Sequence, residues 1–172
     1  SDATDALFEQ LFQEYQSPIL NYLLRLVDDP DQAEELCQDV FVRAYRALPR
    51  LPQDANHRAW LYRIASNAAT DRYRRSRLLR WLPLRDDEAD STTARRGDDS
   101  ESRTVERHTV QKALKAVPLG YRQALVLFSV QGYSIEEISG MMGISAGAVK
   151  TRLFRAREKF RAAYERECGD AL

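Results

Sequence analysis

Apolar residues recur at helical spacing along most of the chain. From Ala33, the series Leu36, Cys37, Val40, Phe41, Ala44, Tyr45 and Leu48 follows an i, i+3, i+4, i+7 pattern, which only an α-helix places on one face. That register makes Cys37 a core residue and not a reactive thiol. Upstream, Leu7, Phe8, Leu11, Phe12 and Tyr15, then the run from Ile19 to Val27, form another amphipathic stretch. Ser17-Pro18 is expected to break it, since proline removes a helical N–H donor. Asp28-Asp29-Pro30-Asp31 reads as the turn before the next helix, and Pro49 and Pro52 end that helix and open a polar loop through His57. A third helix is predicted to start near Arg58 and to run through Trp60, Leu61, Ile64, Ala65 and Ala68 toward Arg77.

The pattern then lapses. Residues 85–103 contain no aliphatic side chain larger than Ala and are dense in Asp, Ser, Thr and Arg, so they bury too little to offset their ordering entropy. Residues 81–105 are therefore expected to be a flexible acidic linker, with a root-mean-square span of roughly 28 Å for a chain of about 25 residues. Beyond it, Val110, Ala113, Leu114 and Val117 mark one helix, and a helix after Pro118 carries Ala124, Leu125, Leu127, Phe128 and Val130. No stretch alternates with period two long enough to predict a strand. The expected fold class is all-α, with two small helical domains joined by the linker.

Composition narrows the function. The 172 residues carry 26 Lys+Arg and 26 Asp+Glu, which excludes a large multidomain enzyme and a polycation that coats nucleic acid. No apolar run reaches the roughly 18 residues of a membrane span. Two cysteines, Cys37 and Cys168, are too few for a disulfide framework or a zinc site, and with no leader pattern at the start a cytoplasmic location is expected. The net charge of zero hides a segregation: 4 basic and 11 acidic residues in 1–55, 7 and 1 in 56–80, 4 and 7 in 81–105, and 11 and 7 in 106–172. Two basic zones alternate with two acidic ones. Such faces can simply be solvated, or they can meet partners of opposite charge.

The second basic zone has helix-turn-helix grammar. Ser134 with Glu137 three residues on is a capping box, Gly143 can take the left-handed conformation that ends a helix, and Ser145 is placed to cap the next one. Val149, Leu153 and Ala156 would face inward, leaving Lys150, Arg152, Arg155, Arg157, Lys159 and Arg161 on the other faces against one acid, Glu158. A helix so composed can enter a major groove, with early residues reading bases and later arginines holding phosphates.

The first basic zone holds Arg72, Arg74, Arg75, Arg77 and Arg80 after a helix with Trp60, Tyr62, Asn67 and Tyr73. Helical spacing groups Tyr62, Ser66, Tyr73 and Arg77 on one face, and Trp60, Asn67, Asp71 and Arg74 on another. Aromatic faces beside a positive groove hold unpaired bases at roughly 1–3 kcal/mol per stacked base. On a helix such aromatics also serve as core, and Asp71 can simply tether an arginine.

Three stretches, 33–48, 60–75 and the helix-turn-helix with Arg152-Leu153-Phe154-Arg155-Ala156-Arg157-Glu158, stand in an order that resembles the extracytoplasmic-function (ECF, group 4) sigma factors of bacterial RNA polymerase. The resemblance covers nearly the whole chain. It implies a sigma-2 domain at 5–80 and a sigma-4 domain at 106–167. It also implies docking of the second helix on the polymerase β′ clamp, through Glu35, Gln38, Asp39, Phe41 and Val42. The melted minus-10 strand would meet His57, Tyr62, Asn67, Asp71, Arg72, Arg74, Arg75 and Arg77. The minus-35 duplex would be read by Ser145, Ala146, Ala148, Lys150, Thr151, Arg152, Arg155 and Arg157, while the sigma-4 apolar surface meets the β flap. Two departures from the family pattern are His57, where an aromatic residue usually stands, and Ala148, where a Thr usually follows the glycine.

The partners so implied are core RNA polymerase, promoter DNA and an anti-sigma factor, with no cofactor and no membrane insertion. A stand-alone helix-turn-helix regulator would explain 132–161 but gives no purpose to the arginine run after Asn67 or to the acidic second helix. An enzyme is disfavoured: His57 and His108 are the sole histidines, and no nucleophile grouping, phosphate-cradling loop or metal-ligand cluster is evident. The acidic linker is also a candidate to fold back on the basic zones.

Overall fold

The computed structural model describes residues 1–81 and 101–170, with side chains from Arg103 onward in the second segment. Every element among them is helical: α1 (Asp2–Val27), α2 (Pro30–Ala47), a 3-10 turn (Leu48–Arg50), α3 (His57–Arg80), α4 (Glu101–Ala116), α5 (Leu119–Leu125), a π turn (Val126–Val130), α6 (Ile135–Met142) and α7 (Ala146–Asp170).

The punctuation between helices is polar and local. At the end of α1, Asp28 adopts φ 63°, a left-handed conformation that a short polar side chain tolerates, and donates its N–H to the Leu24 carbonyl at 3.3 Å. Asp29 caps α2 by accepting from the Asp31 amide at 2.9 Å, with Pro30 supplying the first helical residue, where its missing donor is harmless. Asn56 caps α3 through the Ala59 amide at 3.0 Å.

α1 runs unbroken through Pro18, against the expectation of a break at Ser17-Pro18. Burial overrides the lost hydrogen bond: Ile19, Tyr22 and Leu23 beyond the proline are all 0% exposed, and each such side chain contributes about 1.5–3 kcal/mol. The inward stripe of α2 is as the periodicity predicts, with Ala33, Leu36, Cys37, Val40, Phe41 and Ala44 buried. Phe12 meets Phe41 edge-on at 5.0 Å and Phe8 meets Tyr45 at 5.1 Å, so aromatics from α1 and α2 interlock. Cys37 is core, its thiol raised in pKa by burial.

α4 begins at Glu101, inside the span expected to be linker; residues 82–100, which hold the rest of that expectation, lie outside the described residues. In the second half α4 packs along α7, and Ala113, Leu114, Val117, Ala124, Leu127, Ile138, Met141, Val149, Leu153 and Ala156 form the core. The helix expected after Pro118 is α5 followed by the π turn, where Gln131 donates its amide to Val126 and Tyr133 to Leu127. The two halves touch directly: α3 lies against α6, and the end of α1 against α4 and α5.

Candidate nucleic-acid interface

The helix-turn-helix forms as its caps dictate. Ser134 accepts from the Glu137 amide at 3.1 Å while the Glu137 carboxylate accepts from the Ser134 amide at 3.1 Å, the reciprocal pair of a capping box. These bonds, led by the one from the Ser134 backbone, hold the Glu137 carboxyl below its ordinary pKa. Gly143 ends α6 at φ 66°, and Ser145 caps α7 through the Ala148 amide at 3.1 Å. Val149, Leu153 and Ala156 turn inward, all buried. Lys150, Thr151, Arg155 and Arg157 are therefore exposed, as are Ser145 and Gly147, while Ala146, Ala148 and Arg152 are half-buried.

Between the start of α5 and the first turns of α7 lies an open recess of about 520 Å³, lined by Pro118, Gly120, Tyr121, Ala148, Thr151, Arg152 and Arg155. Arg155 Nη1 donates to the Tyr121 hydroxyl at 3.1 Å, and this bond lowers the phenol's pKa. A Cβ at Gly120 would stand 3.0 Å from Arg152 Nη1, so the glycine makes room for that guanidinium. The recess is a positively charged concavity beside exposed backbone at a recognition helix, a shape suited to a phosphate ridge. Arg157 lies over the Phe128 ring at 5.2 Å. Tyr121 and Phe154, the latter 63% exposed on α7, were not singled out by sequence. Phe154 breaks the inward register, which is a readable signal; Tyr121 sits in the first turn of α5, a helix too short for a periodic pattern to mark it.

The second zone is arranged otherwise than the helical spacing suggested. Tyr62 and Ser66 are buried, so the mixed face through Tyr62, Ser66, Tyr73 and Arg77 survives as a surface at its C-terminal end alone, where Arg77 lies over the Tyr73 ring at 5.9 Å. Burial raises the pKa of the Tyr62 phenol. Its ring packs against Tyr22 at 5.5 Å and Tyr133 at 5.3 Å, and Tyr22 and Ser66 exchange a buried hydrogen bond of 2.7 Å. Asn67, Asp71, Arg74, Arg75 and Arg77 are exposed, His57 and Trp60 half-buried. Asp71 does tether an arginine, but it is Arg43 of α2 at 3.5 Å, and Arg72 pairs with Glu35 at 3.3 Å.

On α2, Glu35, Gln38 and Val42 are exposed and Asp39 pairs with Arg43 at 2.9 Å. Phe41 is 4% exposed: it is a core side chain held by Phe12 and Phe8, and in this arrangement it offers no contact surface. Among the described residues no helix is long and apolar enough to cross a membrane.

These features define a two-part helical protein with a basic recognition helix and a second arginine-rich helix. The description "Sigma-70 region 2" matches residues 11–78 and "Sigma-70, region 4" matches residues 107–160. The RNA polymerase sigma factor CarQ of Myxococcus xanthus is 34% identical over 160 residues, covering 93% of this chain and 90% of CarQ. The ECF RNA polymerase sigma factor SigM of Mycobacterium tuberculosis is 34% identical over 155 residues, covering 88% of this chain and 74% of SigM. Among solved structures, CnrH in complex with the cytosolic domain of CnrY superposes with a TM-score of 0.69 at 26% identity, over 94% of this chain and 89% of CnrH. The chain belongs to the sigma-70 family as an ECF sigma factor, a class of transcription initiation factors that are not enzymes.

Proposed function

We propose that the chain directs bacterial core RNA polymerase, in the cytoplasm, to promoters through two separate surfaces. α7 reads the minus-35 element as duplex: Ser145, Ala146, Ala148, Lys150 and Thr151 approach base edges, and Arg152, Arg155 and Arg157 hold phosphates. Phe154 is suited to pack on a thymine methyl. α3 receives the melted minus-10 strand through His57, Asn67, Asp71, Arg72, Arg74, Arg75 and Arg77, and through Tyr62 once it is uncovered. α2 docks on the β′ clamp through Glu35, Gln38, Asp39 and Val42, while Phe41 supports that helix from beneath. An anti-sigma factor is the implied inhibitor.

The carrying observation is the recess at Tyr121, Arg152 and Arg155, which joins a capped helix-turn-helix to fixed positive charge. The net charge of zero also fits: a chain that neutralises few phosphates gains little counterion release and binds DNA poorly unaided. A run-off assay tests the reading. Core enzyme plus this chain should start transcripts at a cognate promoter with no other sigma factor present. A chain that instead binds operator DNA tightly by itself and starts nothing with core enzyme is a stand-alone regulator.

A further inference from the structure

Across the recess, Arg152 and Arg155 of α7 meet the first turn of α5, and neither forms an ion pair among the described residues. The α5 wall of the recess is Pro118, Gly120 and Tyr121. The Tyr121 ring is half-buried and packs against the core, which holds its hydroxyl in place.

Several polar groups of the recess are already spent within the fold. Thr151 donates its hydroxyl back to the Gly147 carbonyl at 3.1 Å, and the Ala148 amide donates to Ser145 Oγ at 3.1 Å. Tyr121 accepts from Arg155 Nη1 at 3.1 Å, a bond that uses an oxygen lone pair and leaves the phenol proton without an acceptor among the described residues. What remains free is the Tyr121 O–H and guanidinium N–H groups of Arg152 and Arg155, and all of these are donors. Base edges in the major groove present donors and acceptors side by side. A phosphate presents acceptors alone, so this donor set fits a backbone phosphate and not a base. The bond from Arg155 also lowers the phenol's pKa, with Arg152 and Lys159 acting in the same sense, which strengthens the hydroxyl as a donor to an anion.

Gly120 sets the second guanidinium. A Cβ there would stand 3.0 Å from Arg152 Nη1, so a side chain at this position displaces Arg152. The backbone does not call for glycine, since the left-handed glycines among the described residues are Gly132 and Gly143, and within a helix glycine is a poor choice. Room for Arg152 is the use that remains.

We infer that Tyr121 binds a DNA backbone phosphate together with Arg152 and Arg155, with Gly120 keeping the place of Arg152 open. The first turn of α5 is then a second wall of the duplex-binding surface. The inference rests on the reading of α7 as the helix that meets promoter duplex, and it names a ligand group outside that helix. A phosphate held from α5 on one side and α7 on the other fixes the angle at which α7 enters the groove, because phosphate contacts set orientation and carry no sequence information.

Titration of the full chain at low salt with a short duplex of arbitrary sequence tests the site. Tyr121→Phe keeps the ring and removes only the hydroxyl. It should weaken binding about five- to tenfold, by the same factor at every salt concentration, because no charge is lost. Gly120→Ala should weaken binding about threefold while thermal stability holds or rises, a split that a merely structural glycine would not give. In Tyr121→Phe with Arg155→Ala, the loss should fall short of the product of the two single losses, since both groups hold one phosphate. Full affinity in Tyr121→Phe overturns the assignment, and so does a double variant whose losses simply multiply. Unchanged binding in Gly120→Ala overturns the role of that glycine. A Tyr121-dependent response to inorganic phosphate, with none to duplex, overturns DNA as the source of the phosphate. Run-off initiation by the wild-type chain is a separate readout: its failure strikes the initiation reading and leaves the phosphate site standing.

Discussion

Regions 2 and 4 both present basic side chains on a long helix, but they hold that helix by different means. In region 4 the recognition helix is fixed by backbone chemistry: a capping box, a left-handed glycine and a serine cap set its angle, and a narrow stripe of Val149, Leu153 and Ala156 anchors it. In region 2 the basic helix is fixed by bulk and by ion pairs: Tyr22, Tyr62 and Leu61 fill the space beneath it, while Arg43–Asp71 and Glu35–Arg72 tie it to α2. Cap residues are small and polar and have one structural use each. Aromatic residues on an amphipathic helix can serve either the core or a ligand, and here the core takes Tyr62.

Substitutions that remove one kind of support and spare the other would sharpen this contrast. The largest stability loss is expected from Phe41→Ala, which empties the junction of Phe8, Phe12 and Phe41 and should cost about 3–5 kcal/mol in chemical unfolding; a loss under about 1 kcal/mol would mean that the aromatic core does not bear on region 2. Next comes Arg155→Ala, which removes the partner of Tyr121 in the recess. It should weaken promoter binding by the polymerase complex to a similar degree across promoter sequences and flatten the salt dependence by about one charge, with little change in unfolding.

Ser134→Ala should cost about 1 kcal/mol by removing the α6 cap, and Ser145→Ala a similar amount on α7, both read from thermal unfolding. The smallest effect concerns pH. The Glu137 carboxyl has a folded pKa held below its ordinary value, first by the Ser134 backbone and with Arg58 assisting. Its contribution is thus fully present above the unfolded carboxylate pKa and lost as pH falls through the folded one. Glu137→Gln should shallow the acid limb of a stability-versus-pH curve; an unchanged limb would remove Glu137 from the account.

Much of this was legible in the sequence where a residue type has one physical use. Ser134, Glu137, Gly143 and Ser145 predicted the helix-turn-helix to within a residue, and the 3.6 period gave the buried stripe of α2. The continuous α1 was not legible, because the rule that proline breaks a helix is local whereas burial of Ile19, Tyr22 and Leu23 is set by elements distant in sequence. The inward turn of Tyr62 was hidden for the same reason: spacing names a face, but only the packed partners decide which face is wet. Phe41 lay in the apolar stripe that the period marks, and it was the family resemblance that had set it on the docking surface. The packing of α3 against α6 leaves no periodic trace at all.

The central claim, that this chain recognises promoters as a subunit of polymerase, is tested most directly by titrating one promoter duplex across a range of salt with the free chain and with its complex with core RNA polymerase. The account predicts weak binding by the chain alone and tight, salt-sensitive binding by the complex. Equal affinity in the two titrations would contradict it.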